Sequence, residues 1–213
     1  MKQFRNMVYP YVAWIAVMIV APMLMIVLYA FTTAGNDVTT IRFTLDNFAR
    51  FFSDQVFLDV LWRSLFIAVI TTIICVLVGY PIAYAIAQRS EKSNMFWVLV
   101  ITMPTWINMM VRTYAWVGIL QDGGLINSLL GLFGIGPFKM MYTTFAVVLG
   151  MVYNFIPFMI LQIHTSLTKM DKSYLEAAAD LGANKVQSFL RVTLPLSLPG
   201  VLSGITLVFL PAV

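Results

Sequence analysis

Long apolar runs alternate with short polar segments along this chain. The apolar runs cover residues 11–31, 61–87, 95–120, 142–163 and 196–213. An α-helix needs about 20 mostly apolar residues to cross the hydrocarbon core of a bilayer. Each of the first four runs is long enough to form a tilted transmembrane helix. The pattern therefore predicts an all-α, polytopic transmembrane helix bundle with about five spans.

Composition places the chain in the membrane class. Hydrophobic residues make up 61% of the sequence and charged residues 10%, and the mean hydropathy is +0.88. Soluble domains are about half apolar and about a quarter charged. The net charge of +4 comes from Lys and Arg residues scattered between the apolar runs, with no basic stripe that would bind nucleic acid. We therefore expect membrane lipid around the chain and no nucleic-acid partner.

The basic residues also predict an orientation. If the N-terminus is cytoplasmic, the inner segments hold Lys2, Arg5, Arg89, Lys92, Lys169, Lys172, Lys185 and Arg191. The outer side and the span ends near it then hold Arg42, Arg50, Arg63, Arg112 and Lys139. Because cytoplasmic segments are enriched in Lys and Arg, this bias predicts a cytoplasmic N-terminus. No convincing cleavage site closes the first run, which we expect to be an uncleaved span.

Two stretches do not fit a simple span. Residues 121–141 are broken by glycines and too short to cross, so they predict a helix at the outer interface, with a re-entrant loop as the alternative. The fifth run is short, contains Pro199 and Pro211, and has no charge or aromatic belt after it. We therefore expect one transmembrane domain over 1–213 that stops inside its fifth span.

A face of small residues, the cysteine and the histidine are all expected to have structural roles. Thr72, Cys75, Gly79 and Ala83 form a small-residue face on the second run, which predicts close helix packing. Cys75 is the only cysteine and is expected to be a small packed hydrophobe. His164, the only histidine, is expected in an exposed loop with no metal role.

The most polar internal segment, 164–195, contains EAAADLGANKVQSFLRVTLP at 176–195. Asp171 can cap a helix beginning at Lys172, and Gly182 can end it with a positive φ. Asn184 and Gln187 are spaced to cap a second helix. Pro195 is expected to stop that helix where the next span begins.

This segment presents small side chains between charged groups, with Ala177 to Ala179 lying between Glu176 and Asp180. Small side chains allow another protein to approach closely, and the flanking charges would set its register. The alternative is a plain helical hairpin that links two spans. The residues alone leave both interpretations open.

The spacing of this segment resembles the EAA loop of ABC importer permeases. The matching positions are Glu176, Ala177, Ala178, Gly182, Val192, Leu194 and Pro195. The resemblance implies that the loop docks on cytoplasmic ABC ATPase subunits and transmits ATP-driven closure to the spans. It also implies a type I importer permease fold with six spans, of which five are visible.

The resemblance extends along most of the chain. FTLDNFARFF, LVGYPIAYAIA, MPTWINMMVRTYAW and GGLINSLLG are similar to segments of spermidine/putrescine importer permeases, as is the stretch from YNFIPFM to the EAA loop. This resemblance implies polyamine transport in a bacterial inner membrane. It further implies a second permease subunit and an extracytoplasmic solute-binding protein as partners.

A candidate translocation path lies in the third and fourth runs. If the third run is one helix, Thr105, Asn108, Arg112 and Trp116 share a face, because they are spaced by three and four residues. Asn154, near a helix-breaking proline, is a further candidate. The alternative is a polar helix–helix contact with Arg112 directed toward the interface.

Several other functions compete with transport. An integral membrane enzyme is disfavoured because the runs contain no acid pair and the chain has one His and one Cys. The sequence has no P-loop motif, so we expect no cofactor and a separate ATPase. A non-transporting scaffold or permease fragment, or an ABC importer permease for another small solute, remains as an alternative.

Overall fold

The computed structural model describes residues 2–33 and 42–213, and of residues 2–7 it describes only the backbone. The side chains of Lys2 and Arg5, which contribute to the predicted orientation, lie outside the described part. The model is 81% helical, and its described residues form no strand. The prediction of an all-α chain is confirmed.

The described residues form eleven α-helices. In chain order they are α1 (Lys2–Ile15), α2 (Ala21–Ala30), α3 (Asp46–Ser53), α4 (Gln55–Ala87), α5 (Glu91–Thr102), α6 (Met109–Leu120), α7 (Leu125–Leu132), α8 (Thr144–Thr168), α9 (Ser173–Asp180), α10 (Lys185–Ser188) and α11 (Leu194–Ala212). Four continuous helical stretches are long and apolar enough to cross a membrane: Val8–Ala30, Gln55–Ala87, Thr144–Thr168 and Lys185–Ala212. A bent pair of helices brings the number of candidate spans to as many as five.

The third predicted span is not one helix. α5 passes into a 3₁₀ turn at Met103–Trp106, the chain is extended at Ile107, and α6 begins at Met109. The helical axes on the two sides of this break differ by 88°. Proline introduces the tighter turn because it fixes φ and lacks an N–H, and Pro104 lies near its start. The prediction that Thr105, Asn108, Arg112 and Trp116 share one helix face is therefore wrong.

Pro195 does not stop a helix, contrary to the prediction. The chain is helical from Lys185 to Ala212, and a π-helical segment at Phe189–Thr193 precedes α11. A second π segment, Ala16–Val20, stands in the same position before Pro22, and each proline is the second residue of the helix that follows. In a π turn each backbone N–H donates to the carbonyl five residues earlier instead of four. The helix can therefore continue past a proline, which has no N–H to donate to the carbonyl four residues earlier.

Contacts divide the chain into two units, Met1–Trp62 and Arg63–Val213. In the first unit Asn47 closes the end of α2. Its amide nitrogen donates to the carbonyls of Tyr29, Ala30 and Thr32 at 3.3, 3.1 and 2.8 Å. The last carbonyls of a helix have no partner within the helix, so this side chain satisfies groups that would otherwise be costly at a membrane boundary.

In the second unit, α8 forms the centre of the core. Met159 and Ile163 of α8 are fully buried, as is Val208 of α11. Two glycines allow the close approach: a Cβ on Gly79 would lie 3.2 Å from Met159 Cγ, and one on Gly204 would lie 2.5 Å from Met159 Sδ.

The small-residue face of α4, Thr72, Cys75, Gly79 and Ala83, is buried. The prediction of close helix packing is confirmed.

His164 is not in an exposed loop, contrary to the prediction. It lies in α8 and is partly buried, with Nε2 2.8 Å from Asn94 Oδ1 of α5. The loop prediction was wrong because α8 continues to Thr168, five residues beyond the end of its apolar run.

The glycine-rich segment after α6 contains one short helix, α7, as predicted. Asn127 of α7 is buried and holds the returning chain through two hydrogen bonds with Phe138. Its Nδ2 donates to the Phe138 carbonyl at 2.9 Å, and its Oδ1 accepts from the Phe138 N–H at 2.9 Å. This side chain thereby fixes the loop between α7 and α8.

Candidate functional site

The EAA segment forms two short helices with a sharp reversal between them. α9 ends at Asp180, and Gly182 adopts φ +79°. The Gly182 N–H donates to the Ala179 carbonyl at 2.9 Å and the Ala183 N–H to the Ala178 carbonyl at 3.0 Å. These two bonds are the Schellman arrangement, which requires a residue in the left-handed region. The predicted role of Gly182 is confirmed.

The predicted cap at Asn184 is present, whereas α9 begins at Ser173, one residue later than predicted, and Asp171 lies just before the N-cap residue Lys172. The Asp171 carboxylate accepts from the Ser173 N–H at 2.9 Å, and this hydrogen bond holds the pKa of Asp171 below its ordinary value. Asn184 Oδ1 accepts from the Gln187 N–H at 2.9 Å, while Gln187 Oε1 accepts from the Asn184 N–H at 3.0 Å. Each cap satisfies backbone donors that the helix itself cannot.

The outer face of the loop combines a small apolar residue with charged ones and one large aliphatic residue. Glu176, Ala177 and Asp180 are exposed, and Leu181 at the end of α9 is 89% exposed. The sequence interpretation did not include Leu181, although a large aliphatic residue beside a helix-ending glycine was a signal for it.

The inner side of the loop is joined to the spans by aromatic side chains. The Phe189 ring lies edge-on to the rings of Tyr80 and Tyr84, with centroids 5.8 and 5.2 Å away. Val192 and Leu194 are partly buried, whereas Pro195 is exposed. A cavity of about 510 Å³ lies behind α9, where Glu176, Arg89 and Leu167 are among the lining residues.

The candidate path residues separate into two groups. Thr105 Oγ1 donates to the Thr102 carbonyl at 2.6 Å, and Asn108 Oδ1 accepts from the Met110 N–H at 2.8 Å. Both side chains thus stabilise the broken span locally. Whether they also line a path stays a prediction.

Arg112, Trp116 and Asn154 lie around the contact of α6 with α8. The Arg112 Cζ is 5.9 Å from the centroid of the Tyr153 ring, and the Trp116 ring lies edge-on to that ring at 5.4 Å. Trp116 and Asn154 line a mostly apolar groove of about 350 Å³ between the two helices. Sequence reasoning missed Tyr153, which neighbours Asn154 and is four residues before Pro157.

Three polar atoms near this groove are buried without a hydrogen-bond partner among the described residues: Arg112 Nε, Arg112 Nη1 and Asn154 Oδ1. No group of three or more metal-ligating side chains is found in the described ranges. The chemistry available here is the donation of hydrogen bonds by a guanidinium and their acceptance by an amide oxygen.

Helices long enough to span a bilayer, joined by an exposed loop, define a polytopic membrane protein. The family described as "Binding-protein-dependent transport system inner membrane component" matches residues 79–213. The chain belongs to this family of ABC importer permeases. It is a membrane-spanning subunit, and ATP hydrolysis takes place on a separate subunit of such importers.

Two relatives are named "Spermidine/putrescine transport system permease protein PotB". The protein from Salmonella typhimurium (strain SL1344) is 38% identical over 99% of this chain and 75% of its own length. The protein from Escherichia coli (strain K12) is 37% identical over 97% of this chain and 76% of its own length.

Solved structures show the same fold. The bacterial alginate ABC transporter, in complex with its alginate pentasaccharide-bound periplasmic protein, has a chain that superposes with a TM-score of 0.76 at 16% identity. The match covers 93% of this chain and 68% of the other. The type I importer permease fold predicted from the sequence is confirmed.

Proposed function

We propose that this chain carries polyamines of the spermidine and putrescine class as the permease of an ATP-driven importer. The observation that carries the proposal is the 38% identity, over 99% of the chain, to a permease named for spermidine/putrescine transport. Such identity over nearly the full sequence includes the spans that would form the cargo route. The relatives therefore support a polyamine as the cargo, and a measurement of polyamine uptake tests it.

The EAA loop is the proposed docking surface for cytoplasmic ABC ATPase subunits. Its exposed small face at Ala177 allows close approach, and Leu181 offers an apolar side chain that a groove could bury. Glu176 and Asp180 would set the register of the docked partner.

Movement of the loop would reach the membrane through a continuous helix. Residues Lys185–Ala212 form one helical stretch, so a displacement of α10 is passed to α11 without an intervening hinge loop. The Phe189 ring couples the same stretch to Tyr80 and Tyr84 of α4. These connections support alternating access driven by closure of the ATPase subunits.

Transport also requires partner proteins, a path for the cargo and a defined orientation in the membrane. A second permease subunit would complete the route, and an extracytoplasmic solute-binding protein would deliver the cargo. The N-terminus is proposed to be cytoplasmic because the basic bias places the EAA loop on the ATPase side. Trp116 and Asn154 are proposed to lie at the edge of the path, where α6 and α8 meet the second permease subunit.

The coupling role is tested with Glu176→Ala and Gly182→Pro in the complete transporter reconstituted in proteoliposomes. Both variants should insert normally but lower the rate of polyamine uptake roughly tenfold while ATP hydrolysis continues, because closure of the ATPase subunits is no longer passed to the spans. Lys169→Ala, at an exposed cation just before the loop helices, is the matched control and should transport normally. Normal uptake by both loop variants would overturn the coupling role.

One observation, the Arg112 guanidinium without a counter-charge, favours a small solute other than a polyamine as the cargo, because a fixed cation repels a polycation. Uptake of labelled spermidine by the unmodified transporter decides between a polyamine and another small solute as the cargo. Unlabelled putrescine is expected to lower this uptake by competing with the labelled spermidine. Transport of another solute with no polyamine uptake would favour the permease for a different small solute, and no transport at all would favour the scaffold.

A further inference from the structure

Arg112 holds a partly buried positive charge without a visible counter-charge. Its Nε and Nη1 atoms are buried and have no hydrogen-bond partner in the part of the chain that the structure describes. A guanidinium stays charged at any physiological pH and has five N–H donors. An aromatic face such as Tyr153 attracts the charge but accepts few of these hydrogen bonds, so an anionic partner would stabilise the two buried nitrogens.

The helices around Arg112 cannot supply that partner. The sequence has nine acidic residues, and none lies between Glu91 and Asp122 or between Asp122 and Asp171. α6 and α8 therefore contain no carboxylate. Within the described second unit, no side chain supplies the counter-charge.

The surroundings of Arg112 indicate what kind of molecule this is. The neighbouring groove is lined mainly by apolar side chains of α6 and α8, and Met109, Val117 and Val147 are exposed along it. Asn154 Oδ1 is a second buried polar atom without a partner. An apolar strip with few unsatisfied polar groups suits a transmembrane helix that carries one acidic side chain.

We propose that a carboxylate on a transmembrane helix of the second permease subunit pairs with Arg112, and that this helix covers the groove between α6 and α8. The inference rests on the proposed function in one respect, namely that a second permease subunit exists. A carboxylate matches the guanidinium in charge, and its oxygens accept hydrogen bonds from guanidinium N–H groups.

The test measures subunit assembly, with this chain co-expressed with its ATPase, binding protein and a tagged second permease. Arg112→Glu should lower the amount of this chain that co-purifies with the tagged subunit by roughly tenfold, because two buried carboxylates repel. Arg112→Lys should retain most of the assembly. Arg63→Glu, an equal charge reversal at an exposed arginine of α4, is the matched control and should assemble normally.

The partner residue is found by charge reversal. Each Asp or Glu in the spans of the second permease is changed to Arg, one at a time, in combination with Arg112→Glu. One combination should restore co-purification. Cysteines placed at that pair of positions, in a Cys75→Ala background, should form a disulfide.

If Arg112→Glu fails to insert, Arg112→Gln replaces it, and its assembly defect should not worsen when the partner carboxylate is also changed to its amide. Normal assembly of the Arg112 variants, or the absence of any restoring position, would overturn the inference. Normal assembly with lost uptake would instead assign Arg112 to an anionic group of the cargo and would also overturn it. Co-purification does not depend on the cargo, so a failure of polyamine uptake in the unmodified transporter would overturn only the proposed function.

Discussion

Tyr80 and Ser197 join two spans through their hydroxyl groups, which lie 2.7 Å apart in a buried position. Ser197 Oγ also lies 3.0 Å from the Leu194 carbonyl, to which it donates. Since Ser197 has one hydroxyl proton, Tyr80 is then the donor in the contact between the two side chains. The bond fixes α4 against α11 directly below the EAA loop.

Removing this bond should destabilise the protein without removing apolar contact. Tyr80→Phe and Ser197→Ala are each expected to lower the free energy of unfolding by about 1 kcal/mol, because a hydroxyl in an apolar interior loses its partner. Unfolding in detergent measures the effect, and the double variant should cost less than the sum of the single ones. Tyr84→Phe keeps a similar ring contact with Phe189 and is the control. Strict additivity of the two changes would contradict the bond.

Arg112 shows how a single side chain can carry information that its neighbours do not. The sequence placed it on a polar face with Asn108, but the structure assigns Asn108 to a helix cap and places Arg112 against Tyr153. The unsatisfied nitrogens of Arg112, rather than its position along the chain, indicate the missing partner.

Whole helices pack closely here because small residues stand at the crossings. A Cβ on Gly200 would collide with the Ser166 side chain and lie 2.8 Å from the Gln162 carbonyl oxygen. No flexible side-chain end can move aside to relieve contact with a backbone oxygen. α11 would therefore have to move away from α8.

Gly200→Ala should thus destabilise the packing of α11 on α8. We expect a loss of about 1–3 kcal/mol of unfolding free energy, the usual cost of overpacking, together with reduced transport. Gly150→Ala is the matched control, because a Cβ there meets nothing within 4 Å and alanine favours a helix. Thermal unfolding of both variants in the same detergent makes the comparison. Equal stability of the two would show that the close approach at Gly200 is not needed.

The π segments before Pro22 and Pro195 have a shared consequence. Each allows a proline inside a helix without a stop, so the helical stretches Val8–Ala30 and Lys185–Ala212 remain continuous. In the EAA region this continuity joins the proposed ATPase-docking surface to a span.

At the scale of the whole molecule, the charge pattern predicts one orientation in the membrane. In a Cys75→Ala background, cysteines at Ser90 and Lys169 should react with a membrane-impermeant maleimide only from the cytoplasmic side. A cysteine at Gly136, which is exposed and has open space around it, should react only from outside. The orientation is measured by comparing the labelling of each cysteine in intact cells with its labelling in inverted vesicles. The reverse pattern would refute a cytoplasmic N-terminus.

The sequence alone predicted what local interactions govern. Helical spans follow from apolar run length, because backbone groups in lipid must bond within the segment. The turn at Gly182 and the caps at Asp171 and Asn184 were predictable because each involves residues at most five positions apart. The family, too, was visible in the order of residues.

Tertiary structure decided what depends on distant groups. The break after Trp106, the continuation of the helix through Pro195 and the position of His164 against Asn94 each differ from the sequence-based expectation. Periodicity cannot reveal these features, because an apolar run looks the same whether it is straight, bent or widened by a π turn. The pairing of Tyr80 with Ser197, 117 positions apart in sequence, likewise arises only when the packing of α4, α8 and α11 brings the two residues together.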